Sequence, residues 1–227
     1  MIAAAYIPAR SYSTRLPGKN LREVGGIPLV VRSAQVALEA KRVGLVGQVV
    51  ADVEDATTTR VVLRENVSIR HRPTWLCEPQ TRVIDLVRAW LQDRESVDSP
   101  DLVAVLLPTS PLRTVRHLVE SRLLLDNDAD GVMSVTPFRQ DVAYALGEEE
   151  GFLRRQFIKR LGVPPCLKHD GTVIWARTSA LLRLDPGDNF YALRLRPYLV
   201  PPEEAVDVNA EMDLVIAEAL LAHREGR

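Results

Sequence analysis

Two hydrophobic rhythms alternate along this chain. Unbroken apolar runs of strand length recur at IAAAYI (2–7), LVGQVVA (45–51), LVAVLL (102–107), GVMSV (131–135) and TVIWA (172–176). Such runs have no water-facing side, so they suit central strands of a parallel sheet covered on both faces. Between them lie segments with apolar residues at helical spacing: 28–42, 81–94, 114–127 and 210–224. Strand and helix in alternation predict an α/β fold, a single Rossmann-like domain over 1–227 with a mostly parallel sheet, right-handed crossovers and helices on both faces. In such a sheet the ligand crevice opens at the carboxyl ends of the strands, which makes the loops that follow strands the places to search.

The rhythm breaks from 137 to 167, where polar, acidic and basic residues surround a few apolar ones. This stretch is expected to be an inserted arm that caps a site or pairs with another subunit, or else a long solvated excursion.

Composition narrows the picture by exclusion. With 29 Lys+Arg against 30 Asp+Glu, the formal net charge is −1, so no global basic field calls for nucleic acid. Only Cys77 and Cys166 are present, and neither sits in a CxxC pair, which suits a reducing cytoplasm better than a disulfide or zinc scaffold. The apolar run at the start is too short for a membrane span and lacks a basic lead.

Three loops carry candidate chemistry. The first, SYSTRLPGKNL (11–21), follows the first strand. Gly18 lets the backbone approach an anion closely, Arg10 and Arg15 offer planar forks, and Lys19 supplies a compact cation. Together they suit a polyphosphate. The loop is not a Walker A motif, since Asn20 stands where that motif needs Ser or Thr. On charge alone a solvated loop is the plainer explanation, and the position after the first strand is what favours an anion site.

The second, LLPTSPLRT (106–114), closes a strand and leads into a helix, with Thr109 and Ser110 as hydroxyl donors and Arg113 near the helix start. A rigid connection capped by Thr114 explains it equally well. The third, VDVNAEMD (206–213), sets Asp207 and Asn209 on one face of an extended segment, where a carboxylate and an amide oxygen suit a hard cation with substrate phosphates. Asn209 also fits as a plain helix cap. Asp52 is a candidate second carboxylate or simply a turn residue, and the four histidines, lacking metal spacing, are expected on the surface or in packing.

In their order and spacing these stretches resemble the cytidylyltransferases that make CMP-activated acidic sugars, above all the CMP-N-acylneuraminate synthetase type. The resemblance rests on IPAR, Ser13, LPGKNL, RPTWL before a helix, PTSPLRT, DGTVIWA and VDVNAEMDLVIAEALL, and it covers nearly the whole chain. STRLPGK is also similar to the CMP-KDO synthetases, whose acidic nucleotide-site segment has no counterpart at PTSPLRT.

The resemblance implies transfer of CMP from CTP to an acidic acceptor, a nonulosonic or 2-keto-3-deoxy sugar acid, with pyrophosphate released and Mg²⁺ assisting. It implies that Lys19 and Arg10 act on the CTP phosphates with Ser13, Arg15 and Asn20 nearby, that Arg72 belongs to the nucleotide site, and that Asp207 is a metal ligand. Thr109, Ser110, Arg113 and Asp170 are carried as substrate-site candidates, with Asn209 and Asp52 as further metal candidates. A cytoplasmic homodimer that uses the 137–167 arm is implied as well.

This chain departs from the sialate pattern at the acceptor. Leu107 and Asp170 stand where that branch carries Gln and Asn, Asn209 replaces the second metal carboxylate, and Ser13-Thr14-Arg15 replaces Gly-Ser-Lys. Leu107 cannot hydrogen-bond a sugar. A small phosphonate is therefore a competing acceptor, with Arg154, Arg155, Lys159, Arg160 and Lys168 as candidate cations for it. A non-catalytic nucleotide-binding protein of the same fold is the alternative from a different class.

Overall fold

The computed structural model describes residues 2–10, 12–93, 99–138 and 166–226, together with the backbone of 146–149 and 152–155. In chain order its elements are β1 Ala3–Ala9, β2 Glu23–Val24, β3 Ile27–Pro28, α1 Leu29–Arg42, β4 Gln48–Val53, α2 Ala56–Leu63, β5 Ser68–His71, α3 Val83–Gln92, β6 Leu102–Val105, α4 Val115–Leu123, β7 Gly131–Pro137, β8 Leu146–Glu149, β9 Phe152–Arg155, β10 Leu167–Arg177, α5 Thr178–Arg183, β11 Leu195–Leu199 and α6 Glu211–Arg224. Seven strands form the main sheet in the order β11-β7-β10-β6-β1-β4-β5. β1 pairs in parallel with β4 and β6, β4 with β5, and β11 with β7, while β10 runs antiparallel to both β6 and β7. The sheet is therefore mostly parallel, as expected.

All seven residues of β1 are buried, because the strand is covered on both faces. Alternate positions divide between two cores. Ala5, Ile7, Ala51, Leu106 and Trp175 meet Val30, Ala34, Ala37 and Leu118 of α1 and α4. Tyr6, Val50, Val105, Ile174 and Ala176 meet Val87, Trp90 and Leu181 of α3 and α5. The buried indole of Trp175 donates from Nε1 to Ser121 Oγ at 3.0 Å, which satisfies its one polar atom.

The inverted direction of β10 has a consequence for the site. At the edge where β1, β4, β6 and β7 end, β10 begins, so Lys168, His169, Asp170 and Gly171 stand beside the loops after β1 and β6. Its register against β7 shifts between His169 and Ile174, and Gly171 sits there at φ 81°, a left-handed conformation that glycine accepts without strain. Leu167 pairs with Pro137, so the expected arm leaves and returns at a strand pair. Within it, β8 and β9 pair antiparallel as a separate two-stranded sheet. Residues 139–145, 150–151 and 156–165, with Lys159 and Arg160, lie outside the described residues, as do the side chains of Arg154 and Arg155.

Candidate active site

The loop after β1 turns through a 3-10 segment, Lys19–Leu21, which Gly18 enters at φ 63°. Asn20 is buried and donates from Nδ2 to the Arg10 carbonyl at 2.7 Å, which pins the loop back onto the end of β1. Ser13 Oγ accepts from the Leu16 amide at 3.3 Å. The chain thus spends its small polar side chains on shaping the loop.

This loop walls a cleft of about 450 Å³ at the carboxyl edge of the sheet. Arg10, Ser13, Arg15, Lys19 and Asn20 line one side, Pro79, Thr81, Arg82 and Val83 another, and Thr109, Asp207 and Asn209 a third. Arg10 spends two donors on the carbonyls of Pro79 (3.1 Å) and Thr81 (2.6 Å), which ties the 79–82 segment across the cleft. Lys19 Nζ donates to the Val208 carbonyl at 3.1 Å, beside Asp207. Burial lowers the pKa of this ammonium, and the nearby Asp207 carboxylate partly opposes that. Arg15 is exposed and takes no hydrogen bond or ion pair among the described residues, so its guanidinium is available to an anion.

The VDVN segment is held by its own hydrogen bonds. Val208 N–H donates to the Thr109 carbonyl at 2.8 Å, and Asp213 Oδ2 caps α6 by accepting from the amides of Asn209 (2.7 Å) and Ala210 (2.8 Å). Asn209 Nδ2 donates to Asp207 Oδ2 at 2.6 Å. That geometry leaves Asp207 Oδ1 and the Asn209 amide oxygen without a hydrogen bond among the described residues. No group of three His, Cys, Asp or Glu side chains could hold a metal among those residues. One carboxylate and one amide oxygen nevertheless fit Mg²⁺, which takes few protein ligands and completes its shell with phosphates and water.

A second cavity, of about 380 Å³, adjoins the same segment. Asp207 and Asn209 line both spaces. The rest of its wall comes from Thr136, Pro137, Lys168, His169, Pro202, Ala205, Val206, Asp213 and Ile216. Thr136 Oγ1 and His169 Nε2 are buried without a hydrogen-bond partner among the described residues. Burial lowers the His169 pKa despite Asp170 and Asp207 nearby, so the imidazole is held toward its neutral form. Reading by metal spacing passed over His169 and Thr136. The signal was the polar triplet Lys168-His169-Asp170 opening an otherwise apolar strand.

Several expected site residues stand elsewhere. Asp52 is fully buried, accepts from Tyr6 Oη at 2.7 Å, and pairs with Arg70 and Arg72, so both carboxylate oxygens are taken and it is absent from the cleft wall. As a metal ligand it is corrected to an internal countercharge, in a cluster where burial first, and Asp52 second, raises the Tyr6 pKa. The Arg72 guanidinium is fully buried and paired with Asp52 and Glu54. Arg72 borders the cleft while its charge points inward.

Arg113, Ser110 and Asp170 form a buried layer beneath the cleft. The Arg113 guanidinium donates to the carbonyls of Leu107, Gly171 and Thr172 and to Ser33 Oγ. Its complete burial lowers its pKa to about 9, with Asp170 opposing. It clamps the loop after β6 to the start of β10, and its donors are spent on protein oxygens.

Residues 4–140 match the model of the family described as cytidylyltransferase, and this chain belongs to that family. It is a nucleotidyltransferase of the cytidylyl-transferring kind. Over 96% of its length it is 25% identical to a Legionella pneumophila protein named CMP-N,N'-diacetyllegionaminic acid synthase, 95% of which is covered. It is 26% identical over 92% of its length to an N-acylneuraminate cytidylyltransferase of Streptococcus agalactiae, but spans 51% of that relative. A solved CMP:2-keto-3-deoxy-manno-octonic acid synthetase complexed with CTP shares the fold with TM-score 0.72 at 17% identity, covering 99% of this chain and 100% of that one.

Proposed function

We propose that this enzyme transfers CMP from CTP to a sugar acid of the nonulosonic or 2-keto-3-deoxy type and releases pyrophosphate. The observation that carries the proposal is the pair of cavities sharing the Asp207–Asn209 wall: one flanked by Arg15 and Lys19, the other by Lys168, His169 and Thr136. Two substrates that react with each other must come within bonding reach, and the two spaces adjoin at the residues they share. The names of the Legionella and Streptococcus relatives support the acceptor class.

In the proposed reaction an acceptor oxygen forms a bond to the α-phosphorus of CTP as the bond from that phosphorus to the bridging oxygen breaks. The bridging oxygen leaves with the electron pair as part of pyrophosphate, and the acceptor hydroxyl loses its proton. Lys19 and Arg15, together with the donors Arg10 keeps free, neutralise charge on the departing group. Asp207 and Asn209 would hold Mg²⁺. When bound, that ion adds fixed positive charge beside the phosphates. Lys168 and neutral His169 would orient the acid, and no covalent enzyme intermediate is needed.

A cavity of about 380 Å³ lies in the range that encloses a drug-sized organic molecule, which favours a sugar acid over a compact phosphonate. Lys168 on its wall is the feature that suits a phosphonate equally well. The proposal extends to a homodimer built with the 137–167 arm. A panel of N-acetylneuraminate, 3-deoxy-manno-octulosonate and a two-carbon phosphonate, each with CTP and Mg²⁺, tests the acceptor class by pyrophosphate release. Turnover with a sugar acid is expected. Turnover with the phosphonate alone would replace the acceptor class, and CTP binding without turnover on any acceptor of these classes would favour a non-catalytic binding protein.

A further inference from the structure

Asp207 and Asn209 line both cavities, and their position depends on what holds residues 201–209. One support is the hydrogen bond from Val208 N–H to Thr109. The other lies on the far side of Asp207. Glu204 Oε2 accepts from His117 Nε2 at 2.6 Å and from Arg116 Nη2 at 2.5 Å. His117 is fully buried in the first turn of α4, directly after the PTSPLRT loop. Its Nδ1 accepts from the Thr114 amide at 3.0 Å, which obliges Nε2 to carry the ring proton and to be the donor toward Glu204. The ring also meets Tyr198 of β11 edge-on at 6.3 Å, and Tyr198 Oη is bonded to Glu120, which pairs with Arg116.

We propose that His117 and Glu204 are positioning residues for Asp207. One ring nitrogen is fixed to Thr114 at the start of α4 and the other to Glu204 in the turn whose Pro202 and Ala205 line the second cavity. Asp207 therefore lies between the Glu204 tether and the Val208–Thr109 hydrogen bond. The inference rests on the cytidylyl-transfer reading for its catalytic consequence, although not for the tether itself. Arg116 is half exposed and paired with Glu120 as well, so the buried imidazole is the component that sets the geometry.

Hydrogen exchange and steady-state kinetics on the full chain decide it together. In Glu204→Ala, amides of 204–209 are expected to exchange about tenfold faster, while those of β1 and α1 stay at the wild-type rate. The kcat with CTP and the accepted sugar acid is expected to fall about tenfold, with the KM for CTP within about twofold. Glu204→Gln keeps an oxygen for the Nε2–H and is expected to recover most of both losses. Arg116→Ala is expected to leave both readouts within about twofold of wild type. The inference is overturned by unchanged exchange in Glu204→Ala, by Glu204→Gln behaving like Glu204→Ala, or by Arg116→Ala reproducing either. A wild-type enzyme that turned over no acceptor would refute the functional proposal, and the exchange pattern would still decide the tether.

Discussion

Lys19 is the side chain on which the chemistry leans most. Its ammonium is half-buried, held at the Val208 carbonyl and next to Asp207, in a place where a departing pyrophosphate would need positive charge. Lys19→Ala is expected to lower kcat/KM by about 10² to 10³, the range seen when one preorganised charge-stabilising group is removed, with the melting temperature little changed. Lys19→Arg is expected to recover only part, because a planar fork does not replace a point charge on a short reach. Steady-state kinetics with a thermal melt check both. At this scale the sequence located segments better than side-chain directions. Arg15, Lys19, Thr109, Asp207 and Asn209 line the cleft. Arg113 belongs to the same motif as Thr109 but turns inward, because the start of β10 returns over it and offers carbonyls. No local pattern announces that return. Asp52 was misplaced for a related reason: a carboxylate after an apolar run looks the same whether its partner is a metal or a pair of arginines from the next strand.

Elements carry two further expectations. Gly131 of β7 lies so close to β10 that a Cβ there would stand 2.1 Å from the Trp175 carbonyl oxygen, so Gly131→Ala is expected to prevent normal folding. Gly171 has φ 81° and would set a Cβ 2.9 Å from Ser110 Oγ, so Gly171→Ala is expected to cost about 1–3 kcal/mol, read by denaturant titration. The other expectation concerns pH. Burial lowers the His117 pKa at the start of α4, with Glu204 opposing and Arg116 and Arg113 reinforcing. A histidine whose folded pKa lies below its unfolded value leaves the unfolded chain holding more protons as pH falls through about 6.5, so stability drops on acidification. His169, lowered by burial as well, acts in the same direction. The melting temperature is therefore expected to fall between about pH 7 and pH 5, and His117→Gln is expected to flatten part of that slope.

Among elements, the strongly periodic ones were legible. β1, β6 and β7 coincide with apolar runs, and α1, α3, α4 and α6 with helical spacing. The missed ones have weak local signals. α2 is the Thr-rich ATTTRVVL, poor in helix propensity, and starts because Asp55 Oδ1 caps the amides of Thr57 and Thr58 at 2.8 Å each. β5 and β11 are four- and five-residue strands at the two sheet edges, and β11 contains Pro197, which only an edge tolerates readily.

For the whole molecule, the sheet order explains why distant motifs cooperate. β1 lies between β4 and β6, and the inserted antiparallel β10 brings the start of one late strand to the ends of the early ones. Residues 10–20, 107–113, 168–171 and 207–209 thereby converge, although up to nearly the whole chain separates them. Ordered motif spacing made that convergence readable in outline. The division into two cavities was not readable, since it depends on how the turn after β11 packs against α4. Cytidylyl transfer itself is tested by a single turnover with CTP labelled at the α-phosphorus, Mg²⁺ and the accepted sugar acid. The label is expected in a CMP–acceptor conjugate with one equivalent of pyrophosphate released, and both are expected to form about 10² to 10³ more slowly in Lys19→Ala. Pyrophosphate appearing without labelled conjugate, or undiminished conjugate formation in Lys19→Ala, would contradict the proposal.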